Sequence, residues 1–384
     1  MSANPVFADL GTNIFSAMSA LAVRHGAVNL GQGFPDLDGP LAIRQAAAKV
    51  LIEGPNQYPP MRGVPELRRA IADHAARRYG LSYDPDSEVL VTSGATEAIA
   101  DCIFSLAGRG EEIVLIEPHY DSYRPMCEAA GAVVKTIRLT PPDWRLTEDA
   151  LAAAITEKTS AVLFNTPLNP VGRVFDEKEM AALARVIAGS KAVAICDEVY
   201  EHLAFDGRRH IPLASLPGMR ERCVRIGSAG KIFSLTGWKV GWVTGPKHLI
   251  DVIANAHQFV TFTTPPAQQL GVAHGLTQEM EFPESLRTRL QENRDLLAAG
   301  LSEIGFRVLP SEGTYFLTAG IDGLSNEKDR AFCERMVRDA GVAAIPLSSF
   351  FGAGGPDTYV RFAFCKQRAV IEDALQRLKA GFHG

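Results

Sequence analysis

Short apolar segments alternate with longer amphipathic ones through the middle of the chain. Seven of the apolar segments have the length of strands, and they cover residues 88–92, 113–117, 133–139, 161–166, 192–196, 223–226 and 240–244. Segments rich in Ala and Leu with helical spacing, such as 96–106 and 178–187, lie between several of them. This alternation predicts an α/β domain with a mainly parallel, seven-stranded sheet that is covered by helices on both faces.

The pattern changes after residue 275. Residues 286–304 have the spacing of one long amphipathic helix, and two further helices are predicted at 327–340 and 369–378. Apolar strands are predicted at 315–318 and 359–364. The chain is therefore expected to divide into an N-terminal arm at 1–40 that forms part of a small domain, a large domain at 41–275, and a small α+β domain at 276–384.

Composition and charge narrow the class of protein. The chain has 384 residues, of which 46% are hydrophobic and 22% charged, with a net charge of −5, as in ordinary globular proteins. Because like charges form no block, a nucleic-acid partner is not expected. No apolar run is long enough for a membrane helix, and the N-terminus carries no signal-peptide pattern. Six scattered cysteines without Cys-x-x-Cys pairs predict a cytoplasmic protein, and the histidine spacing predicts no metal site.

Polar residues follow five of the predicted strands. In open α/β sheets, ligands bind beyond the carboxyl ends of the strands. The polar segments are Ser93-Gly94-Ala95-Thr96, His119-Tyr120, Asn165 to Pro170, Asp197 to Tyr200, and Ser228 to Lys231. Each alone has a structural explanation, since Asp often caps helices and Asn-Pro often forms turns. Their common placement at one edge of the sheet predicts a shared ligand.

Lys231 has small neighbours on its N-terminal side. A surface position is the usual one for lysine, but a lysine in a partly dry pocket loses its proton and acts as a nucleophile toward carbonyls. The Gly230-Lys231 pair is not a nucleotide P-loop, because Arg225 and Ile232 stand where that motif requires Gly and Ser or Thr.

Several motifs share their order and spacing with one enzyme family over nearly the whole chain. They are Ser-Gly-Ala-Thr at 93–96, Asn-Thr-Pro-Leu-Asn-Pro at 165–170, Asp-Glu-Val-Tyr at 197–200, Ser-Ala-Gly-Lys at 228–231 and Thr-Gly-Trp-Lys at 236–239. The chain resembles the class I aminotransferases, which have fold type I and depend on pyridoxal 5′-phosphate. Within them it looks most like the methionine/kynurenine/glutamine branch.

The resemblance implies a role for each matching residue. Lys231 would anchor the cofactor and act as the base, Asp197 would pair with the pyridine nitrogen, and Tyr200 would contact the ring oxygen. The further cofactor residues would be Gly94, Ala95, Thr96, Tyr120, Asn169, Ser228 and Lys239, joined by Tyr58 from a partner subunit. Together with residues 258–266, Tyr58 implies a homodimer with shared active sites, although both segments also suit ordinary loop and core positions.

Arg361 lies inside an apolar strand, where its charge needs a partner. An ion pair with a buried carboxylate is one explanation. The resemblance instead implies a clamp for the substrate α-carboxylate, completed by Asn169 and the backbone of Gly33. Phe15 and Tyr123 are expected as walls of the side-chain pocket.

The expected substrates are L-amino acids with uncharged bulky or sulfur-containing side chains (Met, aromatic, Gln, Leu) and 2-oxo acids. Residues 12–18, 32–36 and 341–347 resemble bacterial methionine/aromatic aminotransferases, and Phe15 stands where kynurenine enzymes usually carry Trp. N-succinyldiaminopimelate aminotransferase and cysteine-S-conjugate β-lyase activities are alternatives. A ligand-sensing regulator would need a basic helix-turn-helix, which does not precede residue 40. A nicotinamide oxidoreductase would need a third glycine after Gly31-x-Gly33.

Overall fold

The computed structural model describes residues 3–8, 10–54 and 56–383, so Met1, Ser2, Asp9, Pro55 and Gly384 lie outside it, including three positions of the predicted arm. The strands in the described residues are β1 Val28–Asn29, β2 Val89–Thr92, β3 Glu112–Glu117, β4 Val133–Arg138, β5 Thr159–Asn165, β6 Val193–Asp197, β7 Cys223–Ser228, β8 Gly241–Thr244, β9 Arg307–Val308, β10 Phe316–Gly320, β11 Val342–Ala343, β12 Ile345–Pro346 and β13 Tyr359–Ala363.

The α-helices among these residues are α1 Pro5–Ala8, α2 Ile14–His25, α3 Leu41–Glu53, α4 Pro65–Tyr79, α5 Ala95–Leu106, α6 Tyr123–Ala129, α7 Glu148–Ala154, α8 Glu177–Ala188, α9 Ala229–Ile232, α10 Lys247–Val260, α11 Pro266–Gln278, α12 Glu281–Ile304, α13 Asp329–Ala340 and α14 Arg368–His383. None of them combines the length and apolar character that a helical membrane span needs.

The central sheet has seven strands in the order β2-β8-β7-β6-β5-β3-β4. All neighbours are parallel except that β8 runs antiparallel to both β2 and β7. Strands β2, β3, β7 and β8 are buried along their whole length, as expected for a sheet covered on both faces. The predicted α/β class and the mainly parallel seven-stranded sheet are confirmed.

Two strands extend further than their apolar segments predict. Strand β6 includes Asp197, and β7 continues to Ser228. Both extensions are held by pairing with neighbours, since Asp197 lies opposite Ile226 and Ser228 lies opposite Gly241. Polar residues that hydropathy assigns to loops therefore end the strands themselves, which fixes their backbone rigidly at the edge of the sheet.

The C-terminal part of the chain forms a smaller sheet in the order β12-β13-β10-β9, all antiparallel. The N-terminal arm joins this part through β1, which pairs in parallel with β11. Helices α12, α13 and α14 pack beside these strands, and the predicted smaller α+β unit is confirmed. The proposed boundary after residue 275 falls within α11, and the division into three segments stays a prediction.

Candidate active site

A cavity of about 200 Å³ opens at the carboxyl ends of the central strands. It brings together every cofactor residue expected from the sequence except Tyr58; these are Gly94, Ala95, Thr96, Tyr120, Asn169, Asp197, Tyr200, Ser228, Lys231 and Lys239. Asn165 and Thr236 line it as well. Residues that are far apart in the sequence meet here because the parallel strands all end at one edge.

One end of the cavity is suited to an anion. Helix α5 begins here, and the N–H groups of Ala95 and Thr96 have no acceptor among the described residues. A Cβ on Gly94 (φ 83°) would lie 3.1 Å from Nζ of Lys239, and one on Gly241 would lie 2.6 Å from the Gly94 carbonyl carbon. The two glycines thus let Lys239 and the β8 backbone approach the helix N-terminus, where free N–H groups and a cation favour a phosphate.

Asp197 ends β6, lines the same cavity and is only 5% exposed. Burial raises the pKa of its carboxyl to about 6. Hydrogen bonds from the Tyr123 hydroxyl and the Val199 N–H stabilise the carboxylate and act in the opposite direction. Asn165 holds the same residue by donating to its backbone carbonyl at 2.8 Å. Asp197 is therefore a fixed carboxylate that a cationic partner in the cavity would keep ionised.

The structure places Tyr123 elsewhere than expected. It is fully buried on α6, stacks against His119 and donates its hydroxyl hydrogen to Asp197, so it does not line the cavity. Its aromatic neighbour Tyr120 does line it, and burial raises the pKa of that phenol to about 12. Tyr123 thus orients Asp197 instead of forming a wall of the pocket.

Lys231 follows β7 on the short helix α9, and its Nζ donates to the Tyr315 hydroxyl at 2.8 Å. Removal from bulk water lowers the pKa of its amine to about 8, although Cys365 and Asp197 act in the opposite direction. The Tyr200 ring lies 5.8 Å from the same nitrogen, and burial raises the pKa of the Tyr200 phenol. The amine is therefore available as a neutral nucleophile and base at mildly alkaline pH.

Arg361 on β13 is 1% exposed and forms no ion pair among the described residues, although the Asp121 carboxylate is near enough to act on its charge. Its Nη1 donates to Asn169 Oδ1 at 3.0 Å, its Nη2 donates to the Gly31 carbonyl at 2.7 Å, and its Nε has no acceptor. Burial lowers the pKa of this guanidinium to about 10. The carbonyl that it contacts belongs to Gly31, and Gly33, whose backbone is expected to complete the carboxylate site, lies two residues further along the same arm. A buried guanidinium without a counter-ion is suited to an incoming carboxylate.

Aromatic rings enclose Arg361 on several sides. Its guanidinium carbon lies 3.8 Å from the Phe316 ring centre, 4.8 Å from that of Phe350 and 5.2 Å from that of Phe15. Phe15 and Phe350 also contact each other edge to face at 5.8 Å. Of the two expected pocket walls, Phe15 is thus beside Arg361, and Phe350 joins it without having been identified from the sequence.

Tyr58 lies away from the cavity and is 84% exposed. Its ring packs edge to face on Phe262, and Tyr58 itself lines a groove that residues 56–59 and 263–266 form. Phe259, in the same neighbourhood of the sequence, is 89% exposed. Within a single chain, Tyr58 therefore contributes nothing to the cavity.

Two buried groups of histidines and carboxylates lie outside the cavity: His74, Glu201 and His202, and Glu97, Asp101 and His257. Burial keeps the pKa of both His74 and His202 low, and Arg225 contacts Glu201. In the second group burial opposes protonation of His257, but Asp101 and Glu97 raise its pKa to about 9. Hydrogen bonds and ion pairs hold most of these side chains, and the absence of a metal site stays a prediction.

Comparison with known proteins agrees with this geometry. The family model described as aminotransferase class I and II matches residues 26–378. A probable N-succinyldiaminopimelate aminotransferase of Mycobacterium tuberculosis is 47% identical over 378 residues, covering 96% of this chain and 95% of that protein. The methionine aminotransferase of Escherichia coli is 41% identical over 370 residues, covering 96% of both.

The solved structure of N-succinyldiaminopimelate aminotransferase from Mycobacterium tuberculosis superimposes with a TM-score of 0.96 at 46% identity, covering 99% of this chain and 100% of that one. The fold-type I architecture expected from the sequence is thereby confirmed. With the family model matching most of the chain and relatives 41% and 47% identical over nearly its whole length, the protein belongs to the class I and II aminotransferase family and is an aminotransferase.

Proposed function

We propose that this aminotransferase exchanges an amino group between an L-amino acid with an uncharged bulky or sulfur-containing side chain and a 2-oxo acid, with pyridoxal 5′-phosphate as cofactor. The observation that carries the proposal is the placement of the Lys231 amine between the anion-binding start of α5, the Asp197 carboxylate and the unpaired Arg361 guanidinium. This arrangement has one binding group for each polar part of such a cofactor and substrate.

The donors and acceptors of the cavity fit pyridoxal phosphate. The free N–H groups of Ala95 and Thr96, the Ser228 hydroxyl and Lys239 would hold its phosphate. Asp197 would pair with its ring nitrogen, and Lys231 supplies the amine that would hold its aldehyde carbon. When bound, the cofactor supplies an electron sink that stabilises negative charge at the substrate α-carbon.

Side chains of this chain would provide the base, a hydrogen bond to the cofactor and the binding site for the substrate carboxylate. Lys231, whose amine has a pKa of about 8, is placed to act as the base that would accept the proton of the substrate α-carbon. Tyr200 lines the cavity beside it, and its hydroxyl would donate a hydrogen bond to the ring oxygen of the cofactor. Arg361 and Asn169 hold the substrate carboxylate, which sets the α-carbon within reach of Lys231.

Arg361→Lys is expected to weaken binding of amino acids and oxo acids together. The replacement keeps a charge but loses the planar fork, and bidentate carboxylate recognition is lost with it. Dissociation constants should rise about 10- to 100-fold, the range for charged hydrogen bonds worth roughly 1.5–3 kcal/mol. Titration of the holoenzyme with methionine measures this effect.

Simple amines that lack a carboxylate provide the internal control for the Arg361 variant, and their reaction should change less than about 3-fold because they do not use the clamp. Equal losses for amines and amino acids, or a large fall in melting temperature, would contradict substrate recognition and indicate that Arg361 supports the fold.

The side-chain preference is proposed from the aromatic surroundings of the carboxylate clamp. Phe15, Phe350 and Phe316 surround Arg361, and Tyr120 lines the adjoining cavity. An apolar substrate side chain gains roughly 25 cal/mol per Å² when it is buried there. The distal carboxylate of aspartate would be desolvated among these rings without a dedicated partner, which is costly.

A donor screen of the purified holoenzyme tests the proposed function. Single amino acids are mixed with the enzyme, and the change in visible absorbance of the cofactor is followed in the absence of an acceptor. Methionine, phenylalanine, leucine and glutamine should exceed aspartate in catalytic efficiency by about tenfold or more, because burying an unpaired carboxylate costs at least 1–3 kcal/mol. Aspartate outperforming all four would contradict the apolar pocket.

N-succinyldiaminopimelate is the second candidate substrate, and one observation favours it. The relative named for that activity is 47% identical to this chain, against 41% for the methionine aminotransferase. The screen therefore includes N-succinyl-LL-diaminopimelate as a donor. If it exceeds methionine tenfold in catalytic efficiency, the second candidate replaces the first, and a cation that binds its distal carboxylates must then be sought in a partner subunit.

We further propose that the active unit is a homodimer with shared sites. The support is the exposure of large apolar side chains near the groove that contains Tyr58, since Tyr58 and Phe259 are both more than 80% exposed. Aromatic groups left open in this way mark protein–protein contacts. A facing subunit would cover them and bring Tyr58 toward the phosphate end of the neighbouring cavity.

A further inference from the structure

Tyr315 connects Lys231 to the N-terminal arm by two hydrogen bonds. The Lys231 Nζ donates to the Tyr315 hydroxyl at 2.8 Å, and this hydroxyl lies 2.5 Å from the Gly33 carbonyl oxygen. A carbonyl oxygen only accepts, so the single hydrogen of the phenol is used for Gly33. The oxygen lone pairs of Tyr315 are then left for Lys231 and the neighbouring Tyr200 hydroxyl, and the lysine is the donor in its contact.

The position of Tyr315 is fixed from several sides. It is 1% exposed, and its ring contacts those of Tyr200 at 5.2 Å and Phe316 at 4.8 Å. Its backbone carbonyl accepts from the Phe364 N–H at 3.0 Å. Because the Tyr315 ring is fixed, its hydroxyl stays in place, and it therefore sets the orientation of the Lys231 amine that is bound to it.

The residue before Tyr315 has an unusual backbone. Thr314 is fully buried with φ 67°, in the left-handed region that a β-branched residue rarely adopts. Its N–H donates to the Leu203 carbonyl at 2.9 Å, and its hydroxyl accepts from the Phe316 N–H at 3.1 Å. Such conformations cost about 1–3 kcal/mol and persist where the surroundings impose them, commonly at functional sites. The turn at Thr314 aims Tyr315 toward Lys231.

We propose that Tyr315 is a positioning residue that orients the free amine of Lys231 for proton transfer. A neutral amine has two N–H bonds and one lone pair. When one N–H is bound to the Tyr315 oxygen, the lone pair has fewer directions available and is held toward the interior of the cavity. The inference rests on the proposed function, in which Lys231 moves the substrate α-proton.

The same phenol makes the orientation of Lys231 depend on the arm. Gly33 lies in the segment that also supplies the Gly31 carbonyl for Arg361. If the arm shifts, the Tyr315 hydrogen loses its acceptor, and the hydroxyl can then turn its hydrogen toward the lysine lone pair, which blocks the base. Residues 31–33 of the arm thereby link the Arg361 carboxylate clamp, which contacts Gly31, to the orientation of Lys231, which depends on Gly33 through Tyr315.

Tyr315→Phe removes the hydroxyl and keeps the ring packing, and Tyr359→Phe is the matched control. Tyr359 is also buried, lies opposite Gly320 at the far end of the same strand pair, and accepts from Arg307 at 3.1 Å without contacting Lys231. In single-turnover reactions of the holoenzyme with L-methionine, Tyr315→Phe should be slower by about 10²-fold, the cost of misplacing a catalytic group by roughly 1 Å.

The α-deuterium isotope effect separates positioning from folding. With α-deuterated methionine, the isotope effect of Tyr315→Phe should exceed that of the wild type, because proton transfer becomes more rate-limiting, while methionine affinity changes less than about 3-fold. The Tyr359→Phe variant should match the wild type in both. A slower Tyr315→Phe variant with an unchanged isotope effect and a lowered melting temperature would overturn the proposal in favour of a structural role.

A second readout does not use the reaction. In cofactor-free full-length protein, competitive acetylation of Lys231 across pH, followed by mass spectrometry, measures the titration of its amine. The Tyr315 oxygen accepts from Lys231 and favours its ammonium form. Its removal in Tyr315→Phe should therefore move the titration midpoint of the Lys231 amine to lower pH by about half a unit or more, whereas Tyr359→Phe should leave the midpoint unchanged. An identical midpoint in the wild type and in Tyr315→Phe would overturn the proposal. A wild-type enzyme that is inactive with every amino acid tested would instead contradict the proposed function alone.

Discussion

Lys231→Ala is expected to abolish amino-group transfer while leaving a cavity that still binds pyridoxal phosphate. The substitution removes the amine that holds the cofactor and serves as base, whereas the phosphate-binding groups at Gly94–Thr96 and Lys239 stay in place. General acid–base catalysis alone contributes about 10²–10⁴-fold, and covalent anchoring adds to it, so single-turnover rates should fall by about 10⁴-fold or more.

Two measurements check the Lys231 assignment. Borohydride reduction of the wild-type holoenzyme followed by peptide mapping should place the label on Lys231, and a label on any other lysine would contradict the assignment. Lys191→Ala is the control, since Lys191 donates to Glu111 at 3.3 Å, does not line the cavity and does not contact the arm. Its rate should stay within about tenfold of the wild type, as expected away from catalytic groups.

Asp197→Ala is expected to slow the reaction by several orders of magnitude. The carboxylate is buried at the end of β6 and held by Tyr123 and Val199, and it would pair with the ring nitrogen of the cofactor. Breaking a buried charge pair costs about 3–5 kcal/mol, which corresponds to roughly 10²–10⁴ in rate when the pair acts in the transition state. Stopped-flow absorbance with methionine measures this loss.

Asp101→Asn provides the matched control for the Asp197 variant. Asp101 on α5 is likewise fully buried, and burial raises its pKa to about 6, but it faces His257 of α10 and does not line the cavity. Its variant should lose stability and keep its rate within about tenfold of the wild type, as expected for a residue outside the catalytic site. Near-native turnover of Asp197→Ala with an intact fold would contradict the pairing with the ring nitrogen.

Much of the fold follows from patterns along the chain. The seven strands of the central sheet lie within one or two residues of their apolar segments, because strands buried on both faces leave a nearly continuous hydrophobic signal. Helix α13 begins two residues after its predicted start, whereas α12 begins at Glu281, five residues before the predicted 286. The antiparallel direction of β8 could not be predicted in this way, because hydropathy carries no information about strand direction. Only the pairing of β8 with β2 and β7 determines it.

Some residues of the candidate site could also be predicted from the sequence, whereas others were placed only by the tertiary structure. Residues at strand ends, such as Asp197 and Lys231, were identified because parallel strands bring their carboxyl ends to one edge. Tyr315 was read only as part of an apolar strand, because the turn that aims it toward Lys231 depends on the buried left-handed Thr314. Tyr123 was expected in the pocket wall, but packing of α6 turns its hydroxyl to Asp197.

The sequence by itself therefore determined the class of fold, the edge of the sheet that carries the chemistry and the family, because periodicity, strand ends and motif order are properties of the chain. The tertiary structure decided which polar groups face one another. Arg361 meets Gly31 and Asn169, and Tyr315 meets both Lys231 and Gly33, across separations of 84 to 330 residues. Contacts between such distant positions arise only when the arm and the two sheets pack together, and no local pattern encodes them.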